Sequence, residues 1–363
     1  MHTLRIIVPD SPGLLNDAEV YKTAFIKNNF NVIIHKIVCG KAEIIVHKFC
    51  DINLILEYLD IDIFAFPSKI NMFMPNHELF RYYDKLMNMD YILCKTKIAL
   101  SMFKCIKKEN NYKYICFYTK FTTHISEELR ITNDMNIIKD KNLFVHLAGK
   151  SGLKNTSILI YCWIKNNGFL DIDPNIKLVI TCYRNCFVKT KKELASYFNF
   201  VPSFQKENNR DDILVYKNMK LYIYPAPKNE FETLLKFANV SICISGKEGF
   251  GHYINEARYY KTYVITVDAP PMNELIKNNK NGIYVTKYDK IKINNHEEHT
   301  KFKQYTVYPD VNDLKEKLIY CIKNKNLLSD MGNYSRKLFF KDKKYFNKKI
   351  SKIINNNLLK KIT

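Results

Sequence analysis

Two carboxylates with seven residues between them, Glu248 and Glu256, bracket the turn Gly249-Phe250-Gly251. The turn follows an apolar run, Val240 to Ser245, and opens the helical pattern His252 to Tyr260. Glu248 therefore falls in the loop at a strand's end, and Glu256 falls about one turn inside the helix. Glycines at 249 and 251 let backbone come close to a bulky anion, and the helix N-terminus supplies oriented N–H groups and partial positive charge. A carboxylate one turn into such a helix can accept bonds from two adjacent hydroxyls of a sugar, as acidic residues do with ribose in dinucleotide folds. The bland alternative is a glycine turn before a surface helix with two solvated Glu.

The elements that would have to position these groups alternate along the chain. Leu4 to Val8 reads as a strand, Asp10-Ser11-Pro12-Gly13 as a turn, and Leu14, Ala18, Tyr21 and Phe25 recur at helical spacing. Further strands are expected at Asn31–Val38, Ile44–His47, Asn53–Leu56, Ile63–Phe66, Tyr91–Cys94 and Tyr114–Tyr118, with helices at Glu78–Met87 and Thr96–Ile106. Periodicity weakens from Thr119 to Lys141, where a domain junction is placed. Beyond it the strands Leu143–Leu147, Leu178–Cys182, Leu221–Tyr224, Val240–Ser245, Tyr263–Val267 and Gly282–Val285 are expected. Helices Thr156–Lys165, Glu230–Phe237, His252–Tyr260 and Met272–Lys277 lie among them. Thr286–Tyr308, with its charged and His residues around His296 to His299, reads as a loop. Helices near Val311–Lys323 and Asn333–Leu359 close the chain. Alternation of this kind argues for two parallel sheets with helices on both faces and a cleft between the domains, ligands lying beyond the carboxyl ends of the strands.

Length and composition agree. At roughly 150 residues per domain, 363 residues hold two to three domains. Hydrophobic residues at 47% and only 10 Gly and 11 Pro exclude a disordered or fibrous chain. The longest apolar run, Ile158–Ile164, is far too short to span a membrane, and the N-terminus lacks the pattern of a secretory signal. The net charge is +21, yet the chain has seven Arg against 50 Lys. Nucleic-acid readers lean on the planar fork of Arg, so a Lys-heavy, Asn- and Ile-rich chain points to nucleotide composition bias ahead of a polyanionic partner. Ten Lys or Arg against one Asp lie in residues 333–363, so the excess concentrates in the last helix. The ten Cys form no C-x-x-C pair and several sit in apolar runs, which suits buried thiols in a reducing, cytoplasmic compartment.

Residues 143–335 resemble the donor domain of family 4 (group 1) glycosyltransferases, the large retaining group of GT-B architecture. The resemblance rests on Glu248 through Ala257, on the lead-in Leu221-Tyr222-Ile223-Tyr224 with Leu234 to Val240, and on the continuations Val264 to Ile276 and Asn281 to Val285. It implies that Glu256 holds ribose hydroxyls, that Glu248 contacts the transferred sugar, and that Gly249, Phe250 and Gly251 belong to the donor site. At Gly149-Lys150-Ser151-Gly152-Leu153-Lys154 it implies that Lys150, where the family has Arg, and Lys154 neutralise the donor diphosphate. Pro12-Gly13-Leu14 stands at the family's glycine loop, which gives Gly13 to the phosphates. A His near the reacting sugar is implied in the first half, with His124 the first choice and His77 the next. The chain departs from the family in placing Arg258-Tyr259-Tyr260-Lys261 after Glu256-Ala257, where small residues are usual.

The expectation is thus an α/β chain of two Rossmann-like doubly wound domains facing a central cleft. Residues 1–140 form the acceptor-side domain and 141–335 the nucleotide-sugar domain. Residues 336–363 form a basic helix packing back on the first domain. The expected activity is retaining transfer from a nucleotide-diphosphate sugar, UDP- or GDP-linked first, to a hydroxyl of a glycan, lipid or protein-linked acceptor. No cofactor and no metal are expected. Asp60-Ile61-Asp62 and Asp171-Ile172-Asp173 fit a metal-holding D-x-D but are read as turns. The basic helix leaves peripheral membrane contact open, and nucleic acid is not an expected partner. Two rivals remain: a nucleic-acid-binding protein, including a DNA-base glucosyltransferase of the same architecture, and a sugar-nucleotide-binding scaffold without turnover.

Overall fold

The apolar runs become strands of two largely parallel sheets, whose central strands are buried on both faces, as in Cys50–Leu56, Tyr91–Cys94, Ala238–Cys243 and Tyr263–Val267. The computed structural model describes residues 1–40, 46–125, 138–199, 202–224, 228–293 and 300–362. The chain divides into two compact units. One comprises Met1–His124, Lys292–Gln304 and Lys341–Thr363, and the other Ile125–Ile291 and Tyr305–Phe340.

In the first unit the elements run β1 (His2–Pro9), α1 (Pro12–Ile26), β2 (Phe30–Ile37), β3 (Cys50–Leu56), β4 (Ser68–Met74), β5 (Tyr91–Cys94), α2 (Lys97–Glu109) and β6 (Ile115–Tyr118). They form a parallel sheet in the order β2-β1-β3-β4-β5-β6. The strand order turns back at β1, which lies between β2 and β3. Such a switch point opens a crevice at the carboxyl ends of the strands. Thr96 caps α2 by accepting from the Ala99 amide at 3.2 Å.

The second unit holds β7 (Asp140–Gly149), α3 (Thr156–Lys165), β8 (Lys177–Cys182), α4 (Arg184–Phe198), β9 (Gln205–Glu207), β10 (Arg210–Tyr216), β11 (Met219–Tyr222), α5 (Lys228–Phe237) and β12 (Ala238–Cys243). It continues with α6 (His252–Tyr259), β13 (Tyr263–Val267) and β14 (Gly282–Val285). After these come the two-stranded β15 (Tyr288–Ile293) and β16 (Gln304–Pro309), then α7 (Val311–Lys323) and α8 (Leu328–Ile353). Its sheet has the order β14-β13-β12-β7-β8-β11-β10-β9, with β10 antiparallel to both of its neighbours, β9 and β11, and the other pairings parallel. Here the order turns back between β7 and β12.

Several expectations are corrected. Ile63–Phe66 is no strand: Ile63–Ala65 is a 3-10 turn capped by Asp62, and the strand is β4, just past Pro67. Glu78–Met87 is no α-helix but two 3-10 turns, His77–Leu79 and Asp84–Asn88. Its buried side chains Phe80, Tyr83, Leu86 and Met89 recur every three residues, the 3-10 period. Met272–Lys277 likewise shortens to the 3-10 turn Met272–Glu274. The expected loop Thr286–Tyr308 contains β15 and β16, while His296 and His299 lie outside the described residues, as do residues 44 and 45 of the expected strand Ile44–His47. The last long helix begins at Leu328, and its residues from Lys341 onward count with the first unit. There Phe346 packs edge-on against Tyr21 and Phe121, and Lys120 pairs with Asp342 at 2.7 Å.

Candidate functional site

The switch point of the second sheet determines which loops meet. Because β7 and β12 are neighbours, the loop after β7, which carries Lys150 and Lys154, stands beside the loop after β12, which carries Glu248. The two loops are tied directly. Asn155, left-handed at the cap of α3, donates through Nδ2 to the carbonyls of Ile244 at 2.8 Å and Val307 at 3.1 Å. The Gly246 amide donates to the Leu153 carbonyl at 2.8 Å. A Cβ at Gly246 would stand 2.6 Å from the Val307 carbonyl oxygen, so glycine is needed there for the close approach. Gly251 needs it for conformation, with φ +99° at the cap of α6.

Within that frame Lys154 Nζ pairs with Glu248 Oε1, both side chains 13% exposed. Ser245 Oγ donates to the same carboxylate oxygen at 2.5 Å. The ammonium sits 3.7 Å from the centroid of the Tyr253 ring, a short cation–π contact. Tyr253 in turn bonds Ser245 through its hydroxyl, and burial holds that phenol well above its usual pKa, with Cys243 and Glu248 adding to the rise. Glu256 lies half-buried on α6. Its carboxylate and that of Glu248 both bear on Cys243 at the end of β12, whose thiol is pushed up to about 12, chiefly by burial. Both acids thus lie within electrostatic reach of that strand end, and Lys154 acts there with opposite sign.

The remaining expected residues divide. Lys150 is exposed and its ammonium lies 5.4 Å from the Tyr183 ring, beyond β8, so the structure does not bring it to Glu248. Gly249 is buried beside them, and the Phe250 ring is buried with an edge-on contact to His252 at 5.3 Å. Of the unusual Arg258-Tyr259-Tyr260-Lys261, the first three residues turn inward. Arg258 is buried and donates to Asn255, Tyr260 donates to the buried Glu232 at 3.1 Å, and Tyr259 packs on Phe339 of α8. Bulk that departs from the family pattern fills the core behind the site.

Sequence reasoning missed His146, fully buried on β7 beneath the loop. Its Nδ1–H donates to the Ile242 carbonyl at 2.7 Å, so Nε2 accepts from the Thr156 hydroxyl at 3.0 Å. The ring thereby fixes the start of α3 against β12. Burial lowers its pKa to about 4, against an ordinary value near 6.5. Below pH 6.5 the unfolded chain takes up a proton that the folded chain refuses until pH 4, so stability falls through that window as pH drops. About 2 kcal/mol should be lost by pH 5 relative to pH 7, measured by urea unfolding, and a His146→Asn variant should lack that part of the slope.

A smaller cavity of about 270 Å³ lies at the ends of β8 and β11, lined by Thr181, Tyr222, Tyr224, Glu230 and Leu234. The Thr181 hydroxyl is buried with no hydrogen-bond partner among the described residues. Sequence gave no sign of it, since Thr181 is one polar residue at the end of an apolar strand.

In the first unit Gly13 is the second residue of α1, just past the end of β1, and nothing stands within 4 Å of where a Cβ would be. His124 is half-buried beyond β6, and His77 is buried, its carbonyl accepting from Gln304 at 3.0 Å. The polar groups that do meet at the carboxyl ends of this sheet are others. Lys95, directly after β5, pairs with Asp17 of α1 at 3.1 Å, both almost completely buried, and also donates to Asn76, which donates to Glu57. The signal available was a Lys closing an apolar strand immediately before a helix cap. A cavity of about 590 Å³ lies at the ends of β2 and β3, with Lys36, Tyr58, Asp60, Asp62 and Phe64 in its wall. Asp62 accepts from the Phe64 amide at 3.0 Å and Asp173 from the Asn175 amide at 3.0 Å, so these members of the D-x-D pairs serve turns.

Residues 170–301, which include Glu248 and Glu256, match the model of glycosyl transferases group 1. No curated protein sequence matches the chain significantly. Among solved structures, HepE of Anabaena with UDP and glucose is similar at TM-score 0.63 and 10% identity, covering 98% of this chain and 100% of that one. A glycosyltransferase from Rickettsia africae gives 0.62 and 11%, covering 98% and 99%. Sucrose-phosphate synthase from Thermosynechococcus elongatus gives 0.59 and 10%, also covering 98% and 99%. At such identities the likeness concerns the fold, which is the α/β GT-B architecture, while residues 170–301 resemble group 1 glycosyl transferases.

Proposed function

We propose that the chain is a retaining glycosyltransferase that moves a sugar from a nucleotide-diphosphate sugar to a hydroxyl of a glycan or lipid-linked acceptor. One observation carries this: Lys154 and Glu248 meet at the switch point of the second sheet, just before the helix that bears Glu256. An ammonium beside a helix start suits a diphosphate, and two carboxylates suit the hydroxyls of ribose and of the transferred sugar. Glu256 would hold the ribose, Glu248 the sugar, and the amides of Gly249 to Gly251 with Lys154 the diphosphate. Lys150 would reach it from the exposed side. The Thr181 cavity would take the base, its tyrosines supplying ring faces and the hydroxyl a partner. HepE, solved with UDP and glucose, supports a UDP-linked donor.

With no carboxylate nucleophile assigned, transfer would proceed on one face. The bond from the anomeric carbon to the phosphate oxygen breaks, the bond to the acceptor oxygen forms on the same side, and the departing phosphate takes the acceptor's proton. The positive groups around the phosphate stabilise the charge that grows there. Turnover is expected to persist in EDTA, since lysines and amides carry the neutralisation. The first unit's larger cavity, with carboxylates and an aromatic ring in its wall, would take the acceptor. The ten free thiols suit a reducing, cytoplasmic compartment.

A thermal-shift panel of UDP-, GDP-, ADP- and TDP-sugars tests the donor assignment, because a ligand raises stability according to its affinity. A UDP-sugar should give the largest shift. Glu256→Ala should weaken donor binding by about 1.5–3 kcal/mol, the worth of hydrogen bonds to a charged group. A panel without any shift in the unaltered protein would sink the proposal, and an unchanged affinity in the variant would remove Glu256 from it.

A further inference from the structure

Seven Lys and not one Asp or Glu occupy residues 343–363. The helix that begins this stretch has one face already assigned. Asp342, Phe346, Ile350 and Ile353 point inward and are buried, Phe346 against Tyr21 and Phe121. Helical geometry then dictates what faces out. At 100° per residue, Lys341, Lys344, Tyr345, Lys348 and Lys352 fall within an arc of roughly 100° and along about 16 Å of axis. All five are exposed, Tyr345 by 44%.

These lysines differ from most others near an acid. Lys120, Lys154, Lys220, Lys317 and Lys325 each pair with a carboxylate. Lys341, Lys344, Lys348 and Lys352 form no ion pair with any described residue, so their charge is available to a partner. The partner must be anionic, extended and read without directional contacts, because the stripe has no Arg and no hydrogen-bonding side chain besides Lys and Tyr. Base and phosphate recognition in nucleic acids favours the guanidinium fork, which is missing here. A surface of anionic lipid headgroups asks only for a row of positive charge on long flexible stems, with an amphipathic ring at the same level. No helix among the described residues is long and apolar enough to cross a membrane, so contact would be peripheral.

We propose that the outer face of α8 from Lys341 to Lys352 docks the protein on an anionic lipid surface. The attachment is electrostatic and reversible. It does not depend on the catalytic assignment, since it can be read without donor or turnover.

The test is co-sedimentation of the full chain with vesicles of phosphatidylcholine alone and of phosphatidylcholine with phosphatidylserine. Binding should occur to the mixed vesicles only and be lost at about 0.5 M salt, where screening shortens electrostatic reach to a few ångströms. Lys344→Gln, Lys348→Gln and Lys352→Gln together should lower the partition coefficient roughly a hundredfold, at about fivefold per Lys near such a surface. The triple Lys→Arg variant should bind like the original, which guards against loss of fold as the cause. Equal binding to neutral vesicles, or a triple Gln variant that folds and binds unchanged, would overturn the proposal. So would tighter binding to duplex DNA than to the mixed vesicles at the same salt.

Discussion

Replacing Lys95 by Met is expected to cost about 3–5 kcal/mol of stability, the usual loss when one member of a buried ion pair is removed. Lys95 and Asp17 are 2% and 1% exposed, and their contact of 3.1 Å joins β5 to α1 at the carboxyl end of the first sheet. Without the ammonium, the Asp17 carboxylate would stay in a water-poor site without the positive charge that Lys95 supplies. Asn76 would lose its acceptor role toward Lys95 and with it part of its hold on Glu57. The pair itself should contribute far less than that loss, because two charges brought out of water have already sacrificed hydration. Lys95→Met combined with Asp17→Leu should therefore recover most of the stability. The pH dependence gives a second handle. Burial already raises the pKa of Glu57, and the Lys95 charge opposes the rise. In the Met variant Glu57 should bind a proton more readily when folded, so lowering the pH stabilises the variant and narrows the gap. Urea midpoints at pH 7 and pH 5 measure this. A gap that widened at pH 5, or a double variant no better than the single, would show that packing around Lys95 outweighs its charge.

The contrast between Lys95 and Lys154 shows what a sequence of this kind discloses. Strands such as Tyr91–Cys94 and Tyr263–Val267 are read to the residue, because a strand buried on both faces is a bare apolar run. Elements that mix polar residues into the sheet escape. β4 carries Asn71 in its middle, and that side chain accepts from Asn53 on the neighbouring strand at 3.1 Å, an exchange that burial permits only because both partners are present. α4 has only Phe187, Thr190 and Leu194 buried among many lysines, too thin a stripe to register as a helix. At the site, Glu248 and Lys154 are each legible as polar residues past a strand. Their contact is not, since they lie 94 positions apart and meet only because β7 and β12 are adjacent. Strand order is decided by how the whole sheet packs, which no local window contains. His146 and Thr181 escape for a related reason: a single polar residue within an apolar strand carries no spacing that distinguishes a structural bond from an open one.

Lys154→Met should lower kcat by about 10²–10³, the range seen when one preorganised group facing developing charge is deleted. The ammonium is held in three ways at once, by Glu248, by the Tyr253 ring at 3.7 Å and by a loop pinned through Asn155 and Gly246. Under the proposed mechanism its position would require no rearrangement as the glycosidic bond breaks, and charge fixed in advance is what lowers a barrier. A lysine has three N–H donors, so the bond to Glu248 leaves others for a phosphate oxygen. The effect should fall on kcat more than on KM, because the phosphate is more negative in the transition state than in the bound donor. Lys150→Met should do less, since that side chain is exposed and rests on Tyr183. Release of nucleoside diphosphate from the donor, with water as acceptor, provides the rate without knowledge of the natural acceptor. Lys154→Arg keeps the charge but places it on a larger planar group, and should retain turnover between the Met variant and the original. Glu248 loses its charged partner in the Met variant and keeps only Ser245, so the variant's unfolding midpoint must be compared as well. If turnover per folded molecule were unchanged, Lys154 would be a structural counterion for Glu248, and the phosphate charge would have to be met from the α6 amides alone.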